Sequence, residues 1–354
     1  MFPTSINENF NDVMAYVEKI NRLNHGTSCA LYVIQGDRVI AEHYAGRHGT
    51  PEEARRTSAA SQYNVASVRK SYIGFAAAWA QHAGAIAFDD EVLRYVSPDK
   101  EERAVLDKVT VRHLLTHTHG LIRGADGQLQ RRFAPGTDWQ YNNVGIGLLT
   151  QLLPETLGCS IAELLRKHVF DPLGFTETGW RSAPSELLVP VIDKGNNNES
   201  RLYLDGCTDG SEGNMFVSAR ELAWWGYLHL KFGRMKGTSL IPEAVIRSAT
   251  TVQSPAGLPA NLPHNGCLWL VKSGESPQCL IGPNVPQHAF EIVGLYGPLV
   301  LVVPELDLVV VRMANTCGNY EDEHGSYVHY LKQFADRAVA AARKPYSVAP
   351  PSGL

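Results

Sequence analysis

Residues 64–87 read NVASVRKSYIGFAAAWAQHAGAIA. Their run of good helix formers predicts a helix from about Ser67 to His82. Ala76, Ala77, Ala78 and Ala80 give that helix a surface of small side chains. Other elements can approach such a surface closely, so the helix is expected to be buried. At its start, Ser67-Val68-Arg69-Lys70 fits the spacing S-x-x-K. Residues i and i+3 share a helical face, which brings an amine beside a hydroxyl. A serine hydroxyl becomes a nucleophile once a neighbouring base takes its proton. A lysine can be that base when burial disfavours its charged form. The positive end of a helix at Ser67 would also favour developing negative charge.

Strands lie on either side of this helix in the chain. CALYVIQG (29–36) and RVIAEHYAG (38–46) form a hairpin about Gly36-Asp37. CLWLVK (267–272), HAFEIVGLY (288–296), PLVLVV (298–303) and DLVVVRMA (307–314) are β-rich. Between them, helices are expected at 110–117, 143–157, 160–169, 218–232 and 241–249. An amphipathic helix opens the chain at about 8–24, and another closes it at about 325–343. The pattern predicts an α+β fold: an antiparallel sheet flanked by helices, built from both chain ends, with a mainly helical lobe inserted between them. One catalytic domain spans 1–345, with an α/β lobe at about 1–66 plus 255–345 and a helical lobe at about 67–254. Residues 346–354 read as a flexible tail.

The chain has 354 residues, 32 basic and 36 acidic, for a net charge of −4. That balance argues against nucleic acid as a partner, since phosphate binding draws on a basic excess. No apolar run approaches a membrane span, and the N-terminus lacks the basic and apolar regions of a signal peptide. The six cysteines are dispersed and read as reduced thiols. These features point to the cytoplasm. Asn198-Glu199-Ser200 is then a chance sequon.

A second S-x-x-K, Ser97-Pro98-Asp99-Lys100, has no apolar helix behind it and reads as a surface turn. Residues 134–143, APGTDWQYNN, offer a phenol, Tyr141, and an amide, Asn143, two residues apart. In an extended segment these point to one side. A tyrosine beside a lysine can carry the serine proton, and an amide can orient a carbonyl. Trp224-Trp225 reads as core packing. His113, His117 and His119 have a spacing that could hold zinc. They lack the further ligands of metallo-hydrolases, so no metal site and no cofactor are expected.

Taken together, these stretches resemble the serine β-lactamase-related hydrolase superfamily. This group includes class C β-lactamases, D-alanyl carboxypeptidases, esterases and some transacylases. AFDDEVLRYV, VTVRHLLTHTHGL, PGTDWQYNN, VFDPLGFTETGW, NMFVSARELAWWGYLHL and VLVVPELDLVVVRMAN follow the family pattern in order, from about residue 28 to 315. The resemblance implies Ser67 as nucleophile, Lys70 and Tyr141 as the base system and Asn143 as the carbonyl-orienting amide. It also implies a third element on an inner strand, typically a basic residue, then Thr or a small residue, then Gly.

That third element departs from the pattern. Lys272-Ser273-Gly274 matches literally, whereas Ile292-Val293-Gly294 matches by position ahead of PLVLVV. The second is favoured. It implies an oxyanion hole from the Ser67 and Leu295 N–H groups, with Gly294 and Leu295 at the substrate. Ile292 and Val293 cannot bind a carboxylate. The expected activity is therefore hydrolysis of a neutral small-molecule ester or amide, with poor penicillin turnover. An acyltransferase with the same residues is the alternative, and an inactive ligand-binding protein is the second. Oligomeric state is not legible.

Overall fold

The computed structural model describes residues 2–50, 52–196, 199–318 and 320–346. Asn198 of the sequon and residues 347–354 of the expected tail lie outside them. Tyr346, also assigned to that tail, donates a hydrogen bond to the Ser5 carbonyl, 2.6 Å.

The amphipathic helix α1 (Asn11–Leu23) leads into the hairpin β1 (Ser28–Gln35) and β2 (Arg38–Gly46). A 3-10 turn (Ala66–Arg69) then runs into α2 (Lys70–His82). Next come α3 (Val144–Leu157) and α4 (Ala219–Leu230). The chain returns as strands β3 (His264–Asn265), β4 (Leu270–Val271), β5 (Phe290–Val293), β6 (Leu299–Val303) and β7 (Leu308–Ala314). It closes with α5 (Tyr327–Arg343). The main sheet is ordered β3-β4-β5-β6-β7-β1-β2, and every pairing is antiparallel. Its centre joins the two chain ends, with Tyr32 of β1 opposite Val311 of β7. This is the expected α+β arrangement.

Both faces of the sheet are covered, which explains the nearly continuous apolar runs. Alternate residues of a strand face opposite sides. In β1, Ala30, Tyr32 and Ile34 join the core that holds α2 and α4, while Cys29, Leu31 and Val33 join the core that holds α1 and α5. Helix α2 is buried along most of its length. At Gly74 an added Cβ would collide with the Cys267 backbone. The small-residue surface thus admits the chain that leads into β4.

The structure corrects several boundaries. Ser67 lies in the 3-10 turn ahead of α2 rather than in the α-helix itself. The stretch 267–272 gives only the two-residue strand β4, because the Leu268 N–H is drawn to the Leu115 carbonyl, 2.9 Å. The helix expected at 160–169 is broken into Ile161–Leu165, a wider turn at Arg166–Phe170 and Asp171–Leu173. In the second S-x-x-K, Asp99 caps a short helix (Lys100–Leu106), and Ser97 and Lys100 are exposed. Among the described residues no single helix is long and apolar enough to cross a membrane. All six cysteines are free.

Candidate active site

The turn that carries Ser67 is shaped by its neighbours. Ala66 has φ +45°, a left-handed conformation that costs a non-glycine residue free energy. Buried Asn64 holds it there. Its Oδ1 accepts from the Ala66 N–H, 2.9 Å, and its Nδ2 donates to the Gly213 carbonyl, 3.1 Å. The Val68 N–H then closes the turn on Val65, 3.0 Å.

Three side chains meet at this turn. Lys70 Nζ donates to Ser67 Oγ, 3.2 Å, and Tyr141 OH donates to the same oxygen, 2.7 Å. Lys70 Nζ also donates to Tyr141 OH. Lys70 is buried. Burial, assisted by the Arg69 charge, lowers its pKa to about 7. An amine that is partly neutral near pH 7 can accept a proton, which an ordinary lysine cannot. Burial acts oppositely on Tyr141 and raises its pKa, with Ser67 and Arg69 partly offsetting the shift. Tyr141 therefore remains a phenol, suited to pass a proton rather than to hold a negative charge.

Tyr141 is 48% exposed, so its placement depends on the segment around it. The Gln140 N–H donates to the His117 carbonyl, 2.9 Å. Trp139 Nε1 donates to Asn265 Oδ1, 2.8 Å, and Asn142 Nδ2 to the Leu121 carbonyl, 2.9 Å. The His117 ring lies 4.8 Å from the Tyr141 ring, centroid to centroid. His117 is itself buried, and burial together with nearby Lys70 holds it well below the usual histidine range, hence neutral.

The strand end opposite Ser67 is β5. The Gly294 N–H bonds to the Pro298 carbonyl, 2.8 Å, and the Gly297 N–H bonds back to Gly294, 3.0 Å. Arg312 Nε donates to the Gly297 carbonyl, 3.1 Å, and ties this tight turn to β7. Gly294 packs directly on the Val65 carbonyl, leaving no room for a Cβ. Among the described residues the Ser67 and Leu295 N–H groups bond to no protein acceptor. Both residues line one cleft of about 430 Å³, together with Lys70, Tyr141 and Gly294. The arrangement therefore brings a serine hydroxyl, a buried amine of lowered pKa, a phenol and two free backbone donors around one space.

Two expectations from the sequence change here. Asn143 is exposed at the start of α3 and is not part of the cleft wall. Asn142 points inward instead, but its amide is committed to Leu121 and to the Val144 N–H, 3.0 Å. The sequence marked His117 only as a doubtful metal ligand, yet it lines the cleft. The three histidines have separate roles. His113 takes part in a capping box with Thr110, and His119 Nδ1 accepts from the Leu121 N–H, 2.9 Å. Among the described residues, no group of three His, Cys, Asp or Glu side chains is placed to hold a metal ion. Trp139, Asn265 and Tyr327 also line the cleft. Trp139 lies within the 134–143 stretch already singled out, whereas Asn265 and Tyr327 come from distant segments and nothing local in the sequence marks them. Lys272 is elsewhere, buried with Nζ donating to the Gly282 and Pro283 carbonyls, 2.6 and 2.8 Å.

The sequence profile of the Beta-lactamase family matches residues 15–332, and the chain belongs to that family. It is 39% identical to an uncharacterised protein of Alkalihalophilus pseudofirmus, covering 94% of this chain and 96% of that protein. It is 25% identical to Esterase EstB of Burkholderia gladioli, over 74% of this chain and 79% of the esterase. Its fold is similar to that of a class C β-lactamase, with a TM-score of 0.75 at 17% identity, over 96% of this chain and 97% of that one. It is similar also to EstCE1, described as a hydrolase with promiscuous acyltransferase activity. There the TM-score is 0.74 at 18% identity, covering 94% and 98% of the two chains. Family and neighbours together indicate a serine hydrolase.

Proposed function

We propose that this protein hydrolyses neutral esters or amides through an acyl intermediate on Ser67. The observation that carries the reading is the contact of Ser67 Oγ with both Lys70 Nζ and Tyr141 OH, beside a lysine whose pKa is lowered to about 7. Ser67 Oγ bonds to the substrate carbonyl carbon, and its proton passes to Lys70, directly or through Tyr141. The carbonyl oxygen becomes an oxyanion held by the Ser67 and Leu295 N–H groups. Such preorganised donors are commonly a large part of catalysis. The bond to the leaving group then breaks, and the proton returns by way of Tyr141 to the departing atom. Water repeats the sequence on the acyl-serine and releases the acid.

The preference for neutral substrates is supported by the third motif. Ile292 and Val293 occupy the strand positions beside Gly294, and both line the cleft. A carboxylate placed against them would lose hydration without gaining a partner. Lys272, the literal alternative, is buried away from the cleft. The six free cysteines fit a reducing compartment. Acyl transfer to an alcohol is a second reading, favoured by the cleft's predominantly apolar wall, which disfavours water.

The test compares a neutral nitrophenyl ester with nitrocefin, using wild type and Ser67→Ala. The expected result is ester turnover lost in Ser67→Ala, with nitrocefin hydrolysed slowly. Turnover that survives in Ser67→Ala, or nitrocefin as the better substrate, would contradict the proposal.

A further inference from the structure

The proposed catalytic groups make up only part of the cleft lining. Apart from the exposed amide of Gln278, the rest of that lining is predominantly an apolar wall. Leu268 and Leu270 come from the segment leading into and through β4, Leu280 from the loop after it, Val293 from β5, and Tyr327 and Val328 from the first turn of α5. Lys70 is the sole charged residue among the described residues lining the cleft, and it belongs to the catalytic group. Asn265 adds no free polarity. Its Oδ1 accepts from Trp139, and its Nδ2 donates to the Trp269 carbonyl, 3.1 Å. Leu270, Leu280, Val293 and Val328 are each only partly buried. Leu270, Leu280 and Val293 pack against the core on one side and leave apolar surface open to the cleft.

From this wall, and resting on the acyl-serine reading above, we infer that the substrate carries an unbranched or lightly branched hydrocarbon arm without charge. The arm seats against Leu268, Leu270, Leu280 and Val328 while the carbonyl sits at Ser67. Apolar surface gains free energy by leaving water, whereas an ionised group at the same place loses its hydration and finds no charged partner there. Each methylene that reaches the wall should raise kcat/KM by about fourfold. A terminal carboxylate should cancel that gain.

The test uses two series of ester probes, because the arm could lie on either side of the scissile bond. One series lengthens the acyl group from acetate to octanoate with a constant leaving group. The other lengthens the alcohol of an acetate ester. A hemi-adipate ester provides the charged counterpart of hexanoate. The expected result is a rise in kcat/KM of about tenfold or more along at least one series, with hemi-adipate well below hexanoate. Leu280→Lys is expected to lower the hexanoate to hemi-adipate ratio by about tenfold, because the ammonium removes apolar surface and pairs with the carboxylate. Flat or falling dependence in both series, or hemi-adipate equal to hexanoate, would overturn the inference. A fluorophosphonate adduct on Ser67, measured in parallel, separates the two failures. An adduct with no chain-length dependence overturns the hydrocarbon arm alone. No adduct overturns the acyl-serine reading as well.

Discussion

Gly294→Ala tests the proposed oxyanion turn with a single methyl group. Gly294 does not have a positive φ, so alanine is allowed there by backbone conformation. Space is the obstacle. An added Cβ would penetrate the Val65 carbonyl oxygen by about 1 Å relative to van der Waals contact. It would also lie 3.5 Å from Ala66 Cβ. The obstacle is backbone, so no flexible side chain can yield. Either β5 or the Ser67 turn must move by about 1 Å, and the Leu295 N–H and Ser67 Oγ then separate. A misplacement of that size can cost about 100-fold in rate, and loss of one oxyanion donor costs about 100- to 1,000-fold. Overpacking of this kind destabilises a fold by about 1–3 kcal/mol. The expected outcome is therefore a folded protein with a modestly lower Tm and kcat reduced at least about 100-fold for a neutral nitrophenyl ester. Stopped-flow turnover and thermal melts on the same sample read both quantities. Activity within threefold of wild type would refute the placement of the oxyanion hole.

Other consequences follow from the same geometry. If neutral Lys70 is the base, kcat/KM should climb about tenfold per pH unit on the acid side and level off above about pH 7; an acid limb continuing towards pH 10 would contradict this. Lys70→Met should abolish turnover yet raise Tm. The fold lowers the lysine pKa, so the penalty of burying its charge is fully present below pH 7 and fades as pH rises towards the ordinary lysine value; melts at pH 6 and pH 9.5 should show the larger gain at pH 6. Lys272→Met should leave kcat/KM within about threefold and cost about 1–3 kcal/mol of stability in denaturant melts, since it strands the Gly282 and Pro283 carbonyls. Arg312→Met should lower kcat more than it raises KM, and Arg312→Lys, which can still reach the Gly297 carbonyl, should recover part of the loss.

The parts of this protein legible in its sequence are those written in local patterns. The β1–β2 hairpin, the small-residue helix behind Ser67 and the apolar strands β6 and β7 each carry a signal within a dozen residues. Position along the chain pointed to Ile292-Val293-Gly294 over Lys272-Ser273-Gly274, and it is the former that lines the cleft. Local spacing misled at Asn143. The assumption that Tyr141 and the amide two residues on share a side requires extended chain, and Asn143 already has helical dihedrals, φ −95° and ψ −4°. His117 was legible only as a histidine. Its place under Tyr141 depends on its φ of +56° and on the Gln140 N–H to His117 carbonyl bond, neither of which leaves a local sequence signal. The apolar wall was invisible for a related reason. Leu268, Leu280 and Val328 are unremarkable apolar residues until β4, its following loop and α5 converge on one space.

The proposed activity depends on Ser67 being a nucleophile activated by Lys70. Intact-protein mass spectrometry after fluorophosphonate treatment, followed by peptide mapping, examines that dependence in wild type, Ser67→Ala and Lys70→Met. One adduct per chain is predicted on Ser67 in wild type, none in Ser67→Ala, and labelling slowed at least about 100-fold in Lys70→Met. Labelling at another residue, or labelling of Ser67 at an undiminished rate without Lys70, would contradict it.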